Sequence, residues 1–111
     1  MKMKTNKLKL KKFCLIVGLN DKDTKTQKIS LLEAYKIAMN IVLKYTNGAT
    51  IYEASGYYKH DDGQIVIEKT LRIELLFIDK EQVLKIIDTL KTVFNQESII
   101  LEETILQSEL I

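Results

Sequence analysis

Two short stretches of this chain start helices in the same way. Ser30-Leu31-Leu32-Glu33 and Asp79-Lys80-Glu81-Gln82 each place a small polar residue three positions ahead of an acidic or amide side chain. That is the capping-box pattern, in which the two side chains cover each other's exposed backbone N–H groups. Behind Ser30, Leu31, Tyr35, Ala38, Val42 and Tyr45 recur at three- and four-residue spacing. Behind Asp79, Val83, Ile86, Ile87, Leu90, Val93 and Phe94 do the same. Each stretch is therefore an amphipathic helix with one face for a core. The first is expected to end at Asn47-Gly48, glycine taking the left-handed position after the last turn.

What remains between the helices is extended. Residues 8–19 open with alternating Lys and Leu and become continuously apolar at "FCLIVGL", as a central strand does. Residues 20–28 are a polar loop. Residues 50–59 and 64–78 face each other across Asp62-Gly63 as a hairpin, and "SIILEETILQSELI" (98–111) supplies a last strand with room for a short extra one. The order is β-α-β-β-α-β. Right-handed crossovers turn it into a ferredoxin-like α+β sandwich, a four-stranded antiparallel sheet with both helices on one face.

The expected organisation is a basic arm over residues 1–7 and one domain over 8–111. At 111 residues, 46% hydrophobic and 29% charged, the chain has the make-up of a globular domain with little core to spare. Residues 1–28 carry nine lysines against Asp21 and Asp23, a net of +7, and the rest carries −5. Such an arm either solubilises an edge strand or meets an acidic partner. No stretch approaches the roughly 18 apolar residues of a membrane span. The apolar run Phe13 to Leu19 is short for a signal peptide, and no small-residue cleavage site follows. The expectation is a cytoplasmic protein, and the Lys- and Ile-rich composition suggests an AT-rich bacterial or phage genome. Cys14 is the single cysteine, set mid-strand among apolar residues, and reads as a buried, inert thiol.

A two-residue turn at Asp62-Gly63 predicts the faces of the hairpin. Tyr52, Ala54 and Tyr58 then meet the helices. Ile51, Glu53 and Tyr57 share the open face with Glu68, Thr70, Arg72 and Glu74, and Glu53 lies opposite Arg72, the only arginine. With Tyr57 as its one aromatic, that face is a poor platform for stacked bases, which argues against nucleic acid. Glu53, Glu68 and Arg72 form either an interfacial ion-pair network or a ligand site. His60 with Asp61 and Asp62 lacks the convergent ligands a metal needs, so neither metal nor cofactor is expected. No phosphate-binding glycine loop or nucleophile–base set is present.

"GATIYEASGYY" is similar to the start of the long T-loop of PII signalling proteins, through Gly48, Thr50, Ile51, Glu53, Gly56 and Tyr57. "LRIELLFIDKEQVLKIIDTL" resembles the strand and helix that follow it. The resemblance implies a ferredoxin-like trimer that binds adenine nucleotides in clefts between subunits. Here the link from Tyr57 to Ile65 is short, and "FNQES" stands in place of a Gly-rich, Lys-bearing phosphate loop. Gly48, Thr50, Ala54, Gly56, Glu68 and "FNQESI" (94–99) also resemble a pattern in a family of small uncharacterised bacterial proteins, which implies a fold but no activity. Together these readings predict a non-enzymatic homo-oligomer, dimer or trimer, binding a small anionic or nucleotide-like ligand or a protein partner in a subunit cleft. The expected cleft residues are Glu53, Tyr57, Tyr58, Lys59, His60, Arg72 and Gln96. The alternatives are an enzyme of the dimeric α+β barrel type, with Glu53, Glu68 or His60 as acid–base groups, and a purely structural assembly protein.

Overall fold

A computed structural model describes residues 6–111. The elements are β1 (Asn6–Gly18), α1 (Leu31–Val42), β2 (Thr50–Lys59), β3 (Ile65–Leu75), α2 (Lys80–Val93) and β4 (Ile100–Leu110). They form one antiparallel sheet in the order β2-β3-β1-β4, with both helices on one face. This is the ferredoxin-like βαββαβ fold expected. The predicted basic arm lies outside the described residues except for its last two, which already belong to β1.

The core forms where alternate strand residues meet the helix stripes. Phe13, Leu15, Val17 and Leu19 on β1 and its exit lie with Leu71, Ile73 and Leu75 on β3, under Ala34, Ala38, Ile41 and Val42 of α1 and Val83, Ile86 and Leu90 of α2. The opposite face of the sheet carries no helix. Cys14 points to that open face, yet it is buried, and its burial pushes the thiol pKa up.

Three local expectations need correction. Ser30 caps α1 as predicted, its hydroxyl accepting from the Glu33 N–H at 3.2 Å, but Asp79 stands at the N-cap of α2 without a side-chain cap bond. Helix α1 stops at Val42, capped by Leu43, and Gly48 is not left-handed. The turn after the helix absorbs Lys44 to Thr46 through hydrogen bonds back to Ile41 and Val42, so Gly48 lies beyond the helix end.

The third correction concerns the hairpin. Its loop has three residues, Asp61-Asp62-Gly63, closed by the Gly63 N–H on the His60 carbonyl and the His60 N–H on the Gln64 carbonyl at 2.9 and 2.8 Å. Gly63 takes φ of +85°. This is a type I turn followed by a left-handed residue, the usual three-residue solution. An odd loop shifts the register by one relative to a two-residue turn, and a one-residue slip exchanges the faces of a strand. Ile51 therefore pairs with Ile73, Tyr52 with Arg72 and Tyr58 with Val66. Tyr52, Ala54 and Tyr58 lie on the open face, while Glu53 and Tyr57 lie on the helix side, where β2 runs past the helices and stays exposed.

Candidate functional site

One end of the open face is built into a cavity of about 440 Å³. Its floor is sheet: Ile16 and Gly18 of β1, Glu68 and Thr70 of β3. Its walls are the projecting β2–β3 hairpin with Tyr58 and His60, the loop after β1, and the segment Gln96–Ile100 before β4. The hairpin projects because β1 ends at Gly18, and the last backbone–backbone bond that ties β3 to the chain beyond β1 is the Leu19 N–H on the Lys69 carbonyl.

The rim is set by the C-terminal end of α2. Asn95 takes φ of +48°, and the N–H groups of Asn95 and Gln96 close on the carbonyls of Thr92 and Lys91 at 3.3 and 2.9 Å. That is a Schellman cap with Asn in the left-handed position. It aims both side chains at the loop after β1. The Asn95 amide donates to Asp21 at 2.9 Å and to Asp23 at 2.8 Å. The Gln96 amide donates to the Asn20 carbonyl at 2.7 Å, and the Asn95 carbonyl accepts the Lys22 N–H. "FNQES" is thus a clamp: Phe94 enters the core, Asn95 caps the helix, and Asn95 and Gln96 hold residues 20–23.

Asp21 is the post on which the loop is wound. Its Oδ1 accepts the N–H groups of Asp23 and Thr24 at 2.9 and 3.0 Å, and its Oδ2 accepts from Asn95. The Asn95 bond, reinforced by the backbone donors, holds this carboxyl well below the usual carboxylate range. A depressed folded-state pKa adds stability that is complete above the unfolded value of about 4 and is lost as pH falls below it. Asp21→Asn should therefore lower Tm at pH 7 and narrow the gap to wild type at pH 3. Thermal melts of both proteins at the two pH values measure this.

Glu68 stands in the cavity itself. Its Oε2 accepts the Asn20 N–H at 2.9 Å, and its carboxylate lies over Gly18. A Cβ at Gly18 would sit 2.6 Å from Oε2 and 2.8 Å from Oε1. Among the described residues no cation pairs with Glu68.

The centre of the open face holds a separate network. Arg72 donates through Nε to the Tyr52 hydroxyl at 3.1 Å and through Nη2 to Glu102 at 2.9 Å. Tyr52 in turn donates to Glu74 at 2.7 Å. The Tyr52 bond raises the Arg72 pKa further above its ordinary value.

Of the seven residues singled out in the sequence, the structure gathers Tyr58, His60 and Gln96 at the cavity. Arg72 is engaged at the sheet centre. Lys59 pairs with Ile65 at the end of β2. Glu53, on the other face, forms an ion pair with Lys69 at 3.9 Å, and Tyr57 is exposed there. The expected Glu53–Glu68–Arg72 group is therefore not assembled, because the register puts Glu53 on the far face. Gly18, Asn20, Lys22 and Lys25 went unmarked in the sequence; the one available signal was a glycine closing an apolar strand, in "GLND". Among the described residues no three His, Cys, Asp or Glu side chains are placed to hold a metal ion, and no helix is long and apolar enough to cross a membrane.

The fold is shared with several solved structures. A phage SAM lyase in its apo state aligns with a TM-score of 0.67 at 21% identity, over 99% of this chain and 95% of that one. A phage SAM lyase in complex with S-methyl-5′-thioadenosine aligns at 0.65 and 20%, over 91% and 90%. CPII, a nitrogen regulatory PII-like protein from Thiomonas intermedia K12 bound to ADP, AMP and bicarbonate, aligns at 0.53 and 17%, over 93% and 96%. These likenesses establish a ferredoxin-like fold. No curated protein matches the sequence. Residues 12–108, which hold every strand and helix just described apart from the outer ends of β1 and β4, match the model of the family "Protein of unknown function (DUF3574)", and the chain belongs to that family.

Proposed function

We propose that this chain binds an adenosine-containing small molecule, a thioether or sulphonium in preference to a polyphosphate, in the cavity beside Glu68. We further propose that it works as a homo-oligomer in which a second subunit covers the open face. The observation that carries the reading is the carboxylate of Glu68, anchored on a backbone N–H inside a ligand-sized cavity with Tyr58 and His60 on its wall. A fixed negative charge repels a phosphate chain and welcomes a cation or a neutral group. Of the small anionic or nucleotide-like ligand expected from the sequence, this reading keeps the nucleoside and replaces the anion with a neutral or cationic sulphur group. Two of the similar structures carry adenosine-containing ligands, S-methyl-5′-thioadenosine in one and ADP and AMP in the other. Ile16, Tyr52 and Ile100 on an uncovered sheet face support the oligomer.

Calorimetric titration with S-methyl-5′-thioadenosine, S-adenosylmethionine and ADP, together with a solution mass, tests both parts. Micromolar binding of the first two, weaker binding of ADP and a mass above 12.8 kDa are expected. A clean monomer that takes none of the three would overturn the reading.

A second reading, a SAM lyase, is supported by the likeness to the phage SAM lyases, with Glu68 set against the sulphonium. Cleavage returns the C–S electron pair to sulphur and removes its positive charge, while an oxygen of the substrate's own carboxylate forms the new bond to the carbon that sulphur leaves. A carboxylate therefore holds the substrate at least as firmly as the transition state, and its contribution falls on binding. Chromatographic detection of S-methyl-5′-thioadenosine released from S-adenosylmethionine would separate an enzyme from a binder.

A further inference from the structure

We propose that Lys22 and Lys25 form an anion-reading wall of the same cavity, so that the ligand carries an amino-acid carboxylate as well as an adenosine. This rests on the adenosine reading above and goes one step further, to the ligand's tail. Both lysines line the cavity. The loop between them is built, not merely present. Its backbone is pinned at Lys22 to the Asn95 carbonyl, and the Lys25 N–H closes on the Asp21 carbonyl at 2.8 Å. Lys25 itself takes φ of +61°, a left-handed conformation that lysine seldom adopts and that surrounding structure must hold.

The acids interleaved with these lysines are occupied elsewhere. Asp21 spends both oxygens on N–H groups and on Asn95, and Asp23 accepts from Asn95 as well. The loop therefore offers the cavity two cations whose neighbouring carboxylates are turned to structural work. With Glu68 and Glu97 also on its lining, the cavity is bipolar. A neutral thioadenosine leaves both lysines unanswered. A dense phosphate chain answers them but meets Glu68. A zwitterionic amino-acid tail answers both signs, its carboxylate on the lysines and its ammonium toward the carboxylates.

The test compares two thioethers that differ in the tail. S-adenosylhomocysteine carries the amino-acid group and S-methyl-5′-thioadenosine does not. On the full chain, S-adenosylhomocysteine is expected to bind about 10-fold more tightly, the scale of two partly exposed ion pairs. Lys22→Ala/Lys25→Ala should erase that advantage and leave S-methyl-5′-thioadenosine binding unchanged, and Lys22→Arg/Lys25→Arg should keep it. Equal binding of the two thioethers to wild type, or an advantage that survives the double alanine variant, overturns the lysine wall while leaving the adenosine reading intact. Tighter binding of AMP than of S-adenosylhomocysteine overturns the carboxylate assignment in favour of phosphate. Failure of every adenosine ligand to bind sinks both.

Discussion

Gly18→Ala will disable the cavity while leaving the fold standing. The added Cβ would lie 2.6 Å from Oε2, 2.7 Å from Cδ and 2.8 Å from Oε1 of Glu68, distances no carbon can hold. The obstacle is the end of a flexible side chain and not backbone, so the glutamate swings away. It loses its bond to the Asn20 N–H and the position from which it faces a ligand. A hydrogen bond to a charged group contributes about 1.5–3 kcal/mol, so ligand affinity should fall by roughly 10- to 100-fold. Tm should move by only a few degrees, because β1 keeps its ladder and its core side chains. Glu68→Gln distinguishes charge from shape. It fits over Gly18 as the native residue does, so it should weaken a sulphonium ligand far more than a thioether. Titration of S-adenosylmethionine and S-adenosylhomocysteine, which share the tail and differ in the charge on sulphur, against both variants reads the two effects. Native affinity in Gly18→Ala would mean that Glu68 does not touch the ligand.

The fold was legible because each of its elements is announced by several agreeing signals. Ser30 with Glu33 marks a helix start, the stripes of α1 and α2 mark their core faces, and the apolar run from Phe13 marks a central strand. The faces of β2 were not legible. That strand is an edge whose apolar residues occur on both parities, with Ile51 and Tyr57 on one and Tyr52, Ala54 and Tyr58 on the other. Its pattern cannot choose a register, so the choice passes to the loop, and Asp61-Asp62-Gly63 closes equally well as a two- or a three-residue turn. One residue of loop decided whether two tyrosines met the core or the open face. The candidate site was only partly legible for a different reason. Its glycine and loop, its carboxylate and its clamp come from three segments far apart in sequence, and what joins them is a backbone N–H on Glu68 and an asparagine on two aspartates. Gly18 is ordinary until Glu68 is seen above it. "FNQES" stood out as a pattern, but its meaning as a clamp depends on Asp21 and Asp23, some seventy residues earlier.

That clamp carries the second large effect. Asn95 does two things at once: it takes the left-handed position that closes α2, and its amide binds Asp21 and Asp23. Asn95→Ala removes both. Alanine in the left-handed region costs about 1 kcal/mol more than asparagine or glycine, and Asp21 loses the strongest of the bonds that favour its charged form. A Tm drop on the order of 10 °C is expected for a chain of this size. Asn95→Gly restores the backbone freedom but not the amide, so it should recover part of the loss, roughly half. If the two variants melt together, the backbone conformation contributes nothing and the side-chain bonds account for the whole effect. Both variants should also free residues 20–25, which hydrogen exchange at the Asp23 and Thr24 amides would report, because those N–H groups are held by Asp21. Ligand affinity should fall in both, and fall equally, since glycine repairs the helix end and not the loop. Loss of stability with native protection at Asp23 and Thr24 would show that the loop holds its shape without Asn95, and that the clamp serves the helix alone.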